Sequence, residues 1–147
     1  MKRVFKDTPI DEITLRRFEK PASEDLKALT RKFLISIGLL QSGDSRDIIS
    51  SLFYLFVKAG KRQEFLEIED IIKKFEGEDG GTASNIRRHL RRLKGANLVE
   101  RTAYGYRIIE FMPLKELFSK NIMNYSVQPI IDRISEYAEK IDEISHS

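Results

Sequence analysis

Apolar residues recur along this chain at the three- and four-residue spacing of amphipathic helices, a pattern interrupted once by two short β-prone runs. Pro21-Ala22-Ser23 introduces a first helix, with Glu24 and Asp25 in its opening turn and Leu26, Leu29, Phe33, Leu34, Ile37 and Leu40 along one face. Asp44 or Ser45 can cap a second, strongly apolar helix that runs through Ile48, Ile49, Leu52, Phe53, Leu55, Phe56 and Val57 and is ended by Gly60. Leu66, Ile68, Ile71, Ile72 and Phe75 predict a short third helix stopped by Gly77. Ala83, Ile86, Leu90 and Leu93 fall on one stripe of a fourth, which Thr82 or Ser84 can start and which Gly95, in the left-handed conformation, can end. The period then changes. Leu98–Ala103 and Tyr106–Phe111 are two β-prone runs around Tyr104-Gly105, the pattern of a tight hairpin.

Helical spacing returns at Pro113, with a short piece through Leu114, Leu117 and Phe118 and a longer one from about Ser126 to Ile144. In the longer piece Val127, Ile134 and Ile141 recur every seven residues, and Ile130, Tyr137 and Ile144 follow each by three, an a/d seam of just under three heptads. Two such helices flanking so small a domain carry more apolar surface than one core covers, which favours a dimer over packing within the chain. The predicted organisation is an N-terminal arm over residues 1–22, a flanking helix over 23–43, a central domain over 44–112 and a C-terminal helical dimerisation segment over 113–147.

Charge changes the picture most at the fourth helix. Between Thr82 and Arg107 there are seven Lys and Arg against the single acid Glu100, a balance of +6 in a chain whose whole net charge is +3. A helical projection sets Ser84, Asn85, Arg88, Arg91 and Arg92 opposite the aliphatic stripe, with Arg87, His89 and Lys94 on its flanks. A solvated surface helix normally mixes acids with its bases for i,i+4 pairing, whereas no acid occurs from Gly80 to Asn97. Five like charges on one helix repel each other, and an anionic partner relieves that cost.

The order of basic helix, Gly95, Leu98-Val99, hairpin and Tyr106-Arg107, preceded by a shorter helix, resembles the recognition helix and wing of winged helix-turn-helix regulators. The loop Glu76–Gly81 is longer than the turn usual in that motif. The terminal helices around a winged domain resemble MarR-type dimeric regulators. Met112-Pro113-Leu114-Lys115-Glu116-Leu117 after the hairpin is similar to TrmB-type archaeal regulators, without the sugar-binding domain of that family. Both resemblances imply a mainly α fold with a small β-hairpin wing, and a homodimer on operator DNA. The helix 82–94 would enter the major groove, with Ser84, Asn85 and Arg88 toward base edges and Arg87, Arg91, Arg92 and Lys94 on phosphates. The hairpin 98–111 would be the wing, bringing Arg101, Tyr104 and Arg107 to the minor groove or backbone. Val127, Ile130, Ile134, Tyr137, Ile141 and Ile144 would form the dimer seam, and Lys2, Arg3 and Lys6 could form a basic arm or only a frayed tail.

Composition narrows the alternatives. A hydrophobic fraction of 41% with 33% charged residues suits one globular domain. No run approaches the roughly 20 apolar residues of a membrane span and the polar N-terminus is no signal peptide, so a cytoplasmic protein is expected. Zero cysteines exclude disulfides, thiolate metal sites and thiol redox sensing. Two histidines, His89 and His146, are too few for a histidine metal site, and His89 is expected to be a flank contact or solvated. The acidic run Glu67, Glu69, Asp70, Glu76, Glu78 and Asp79 lacks the spacing of an EF-hand loop and reads as a solvated face. Gly77, Gly80 and Gly81 are not followed by the Lys-Ser/Thr of a P-loop. No catalytic set and no cofactor site is expected. The competing function is a winged-helix protein-interaction module without DNA binding; RNA ranks lower because no RNP-type aromatic motif occurs. A small-molecule effector has room between the terminal helices and the core, but nothing in the sequence names it.

Overall fold

The computed structural model describes residues 7–41 and 47–146. The molecule is mainly helical, with one two-stranded antiparallel hairpin. In chain order it has α1 (Leu26–Ser36), α2 (Ile48–Lys61), α3 (Ile68–Lys74), α4 (Ala83–Gly95), β1 (Val99–Thr102), β2 (Gly105–Ile108), α5 (Leu114–Leu117) and α6 (Gln128–Ser145).

Helix α2 is the centre of the core. Its Leu52, Phe53 and Phe56 are fully buried, and the helix packs against α1, α4 and β2. Leu34 and Ile35 come from α1, Ile71 from α3, Ile86, Leu90 and Leu93 from α4, and Val99 and Ile108 from the hairpin. Each of these larger side chains contributes about 1.5–3 kcal/mol on leaving water. The Phe33 and Phe53 rings stack with centroids 6.3 Å apart, locking α1 onto α2.

Several boundaries differ from those the sequence predicts. Helix α1 starts at Leu26, so Glu24 and Asp25 precede it; the Asp25 carboxylate caps it by accepting from the Lys27 N–H at 3.3 Å. Asp47 stands at the N-cap position of α2, while Asp44 and Ser45, the predicted caps, lie outside the described residues, as do Lys2, Arg3 and Lys6. Gly60 does not end α2: the helix runs through it to Lys61, and Gln63 takes the left-handed backbone. Leu66 is not helical but pairs with Tyr106, its N–H and carbonyl each 2.8 Å from the matching group, so the chain lays a third strand-like residue beside the hairpin before α3.

Gly95 likewise stays helical, and the left-handed turn belongs to Asn97 at φ +63°. The Leu98 N–H donates to the Leu93 carbonyl and the Asn97 N–H to that of Lys94, a Schellman ending with asparagine in place of glycine. The hairpin turns at Ala103-Tyr104 rather than Tyr104-Gly105. Thr102 pairs with Gly105, whose φ of +127° absorbs the reversal. The second strand stops at Ile108; a 3-10 turn over Ile109–Phe111 follows, in which Glu110 and Phe111 both have positive φ.

Beyond Pro113 the backbone stays helical to Ser145, because a π-helical stretch, Phe118–Val127, joins α5 to α6. Among the described residues, those before α1 form no helix or strand, but they are not a free arm throughout. Ile13 and Phe18 pack on the core, the Arg16 guanidinium donates to the Ile35 carbonyl at 2.8 Å, and the Lys32 ammonium lies 4.5 Å from the Phe18 ring centre.

Candidate nucleic-acid interface

Helix α4 is positioned from both ends. At its start the Thr82 hydroxyl accepts from the Asn85 N–H at 3.2 Å, and the preceding loop closes so tightly that a Cβ on Gly81 would sit 2.3 Å from the Phe75 carbonyl oxygen. At its end the Asn97 turn hands the chain to β1, and the Asn97 amide donates to the Ser126 hydroxyl at 2.9 Å. Between these anchors Ile86, Leu90 and Leu93 are buried while Ser84, Arg87, Arg88, Arg91 and Lys94 are exposed and Asn85 is half-buried. Among the described residues no carboxylate lies within ion-pairing distance of Arg87, Arg88, Arg91 or Lys94.

Arg92 is used differently from its four neighbours. Its guanidinium donates to the Leu39 carbonyl at 2.7 Å and approaches His89 Nδ1 at 3.4 Å, tying α4 to the segment that follows α1. His89 is neither a flank contact nor solvated. It is buried, and its pKa is pushed down to about 4 by that burial first and then by the adjacent Arg92 and Arg88 charges. The ring is therefore neutral at pH 7. An arginine can only donate, so Nδ1 is the acceptor and the ring proton resides on Nε2.

The hairpin divides its predicted contacts in the same way. Arg101 and Tyr104 are exposed, the Tyr104 ring leaning on Phe65 at 5.4 Å between centroids. Arg107 is half-buried. Its Nε donates to Glu100 Oε2 at 2.8 Å, and its guanidinium lies 5.2 Å from the Phe65 ring centre and 4.9 Å from that of Phe111. The same Glu100 oxygen accepts from the Glu110 N–H at 3.0 Å, bracing the positive-φ turn. The single acid of the basic segment thus neutralises one cation and leaves the α4 face untouched. Phe65 is absent from the residues the sequence points to. The register that places Glu100 opposite Arg107 follows from a two-residue turn at 103–104, whereas the aromatic floor comes from a segment about forty residues away in sequence and leaves no local signal.

The predicted dimer seam lies apart from this face. Val127 is buried in its own chain and Ile130 is half-buried, whereas Ile134, Tyr137, Ile141 and Ile144 are all more than 60% exposed. The described residues contain no cluster of three or more His, Cys, Asp or Glu that could hold a metal ion. No helix of the described chain is long and apolar enough to cross a membrane. No known family model, curated protein or solved structure matches this chain.

Proposed function

We propose that the chain is a winged helix-turn-helix protein that binds double-stranded DNA as a homodimer and acts as a cytoplasmic transcriptional regulator. The observation that carries this reading is the α4 face, on which Arg87, Arg88, Arg91 and Lys94 stand exposed with no neighbouring acid among the described residues while the opposite face is fully packed. A rigid helix with one buried and one cationic side fits the major groove, where exposed guanidinium groups reach base edges or phosphates. The order of helix, paired Leu66, helix, helix and hairpin also supports the winged reading.

Within it, Ser84, Asn85 and Arg88 on the first turns are the readers, and Arg87, Arg91 and Lys94 grip phosphates. Arg92 and Arg107 act by holding the helix and the wing in place, while Arg101 and Tyr104 are the wing residues left to touch DNA. The chain has no enzymatic role in this account. Fluorescence anisotropy with a labelled duplex at a series of salt concentrations tests it. The expected result is an affinity that falls steeply with salt, with a log-log slope of about −0.9 per phosphate contacted. Affinity for duplex DNA no stronger in wild type than in a variant with Arg87, Arg88, Arg91 and Lys94 all replaced by alanine would overturn it.

A further inference from the structure

Every residue from Ile131 to His146 is exposed, so α6 stands clear of the core that produced it. Of the ten large hydrophobic residues exposed among the described residues, five lie on α6 (Ile131, Ile134, Tyr137, Ile141 and Ile144) and one more, Ile10, is 90% exposed in the segment beside it. An apolar face this concentrated in water is an interface in waiting. The proposed function makes its occupant a second copy, and the inference here rests on that reading. What remains is how the two copies meet.

We propose that two α6 helices pair antiparallel, with Asp7 and Asp11 of each copy forming one flank of the seam. With Val127, Ile134 and Ile141 at a and Ile130, Tyr137 and Ile144 at d, the flanking g positions are Arg133 and Lys140 and the e positions are Ile131, Ala138 and Ser145. A parallel pair sets g against e, so the basic flank of one copy meets the apolar flank of the other. An antiparallel pair sets e against e and g against g. One side then becomes largely apolar, with Ile131 against the partner's Ala138. The other brings Arg133 to the partner's Lys140.

That second side would be repulsive on its own, but α6 does not supply it alone. Asp7, Pro9, Ile10 and Asp11 line a groove of about 500 Å³ together with Ile130, Arg133, Ile134 and Tyr137, which places two carboxylates on the g flank. In the antiparallel pair the partner's Lys140 enters between them and Ile10 joins the seam. In a parallel pair Asp7 and Asp11 would instead be pressed against the partner's Ile131 and Ala138, losing water with no cation from the partner and only their own Arg133 nearby. The intrahelical pairs Arg133–Glu136 and Lys140–Glu143 are more than half exposed and yield readily to such a rearrangement.

The register that sets Arg133 against the partner's Lys140 also sets Ile134 against the partner's Tyr137 and Ile130 against the partner's Ile141. Since α6 has 18 residues, it is roughly 27 Å long, and the two basic helices would be carried toward opposite ends of a rod of that length. This is comparable to the roughly 34 Å between half-sites one DNA turn apart.

The chain contains no cysteine, so introduced thiols report contacts without background. Ile130→Cys and Ile141→Cys are made in full-length chains carrying different tags, mixed under reducing conditions and then oxidised. The antiparallel pair predicts a disulfide-linked species containing both tags, with neither variant linking to itself. Self-linking of Ile141→Cys without mixed species, or a dimer giving no linkage at all, would overturn the arrangement while leaving dimerisation intact. Sedimentation equilibrium of the wild type is expected to give twice 17.1 kDa, and a monomer mass would overturn the dimer and the pairing together. Replacing Asp7 and Asp11 by lysine should weaken the dimer by about tenfold at low salt and by less at high salt; an unchanged dissociation constant would contradict the acidic flank. None of these measurements uses DNA, so they stand or fall separately from DNA binding.

Discussion

Helices α4 and α6 are both amphipathic, yet the chain treats their apolar faces in opposite ways. In α4 the stripe Ile86, Leu90 and Leu93 is fully buried, so the only face left for a partner is the cationic one. In α6 the stripe Ile134, Tyr137 and Ile141 is left in water, so the face left for a partner is the apolar one. Sequence periodicity draws both stripes alike; it does not say which of them the chain will cover from within. Under the proposed function the two helices therefore take different partners, a polyanion for one and a like surface for the other.

The largest expected effects are those that separate the two helices. Replacing Arg87, Arg88, Arg91 and Lys94 by alanine should lower duplex DNA affinity at least about a hundredfold at moderate salt, since every phosphate left ungripped keeps the counterions that binding would otherwise release. Sedimentation mass and circular dichroism should not change, because these side chains are exposed and lie outside the core. Ile134→Glu with Ile141→Glu should do the reverse: a monomer in sedimentation, with an unaltered helical spectrum and weakened binding to a two-half-site duplex only. If the glutamate pair weakened binding to a single half-site as much as the alanine set does, the division of labour would not hold.

Next in size is the pH dependence that His89 confers on the α4 side alone. Burial and the two neighbouring arginines hold its folded pKa near 4, below the 6.5 of the unfolded chain. Above pH 6.5 the ring is neutral in both states and the stability is complete. As the pH falls below 6.5 the unfolded chain takes up the proton first, and stability declines by up to about 1.4 kcal/mol per unit until the folded ring also titrates near 4. The total is on the order of 3 kcal/mol, complete only below pH 4. Urea denaturation between pH 7 and 4.5 should show this slope in wild type and a shallower one in His89→Gln.

Arg107→Ala is expected to cost about 1–2 kcal/mol of stability by removing its Glu100 pair and its packing on two aromatic rings. In DNA affinity it should matter less than Arg91→Ala. The smallest effect is a gain: Gly95→Ala should stabilise by about 0.5–1 kcal/mol, because that residue is helical with open space around it. Chemical denaturation measures both.

How much of the molecule was legible in its sequence varies by element. The helices of the core, the hairpin and the basic face follow from spacing and charge, since each is a property of neighbouring residues. Gly95 misled because glycine is the usual left-handed residue after a helix, while Asn97, two positions on, takes that role and allows the hydrogen bonds from Leu98 and Asn97 to close the end. Leu66 reads as helical by period, but its backbone is claimed by Tyr106, which is distant in sequence. Arg92 and Arg107 look like their free neighbours in the sequence; only packing shows that one reaches the Leu39 carbonyl and the other a carboxylate between two rings. The fate of Val127, buried though it continues the a/d seam, depends on where α6 leaves the core, which no local pattern encodes.

The central claim is that the exposed cations of α4, and not those held by Leu39 or Glu100, carry the affinity for DNA. The slope of log Kd against log salt concentration tests it most directly when taken for wild type, Arg91→Ala and Arg107→Ala on one duplex. The account predicts a steep slope for wild type, one shallower by about 0.9 per subunit for Arg91→Ala, and the wild-type slope for Arg107→Ala. Equal slopes for wild type and Arg91→Ala, or a loss of slope confined to Arg107→Ala, would contradict it.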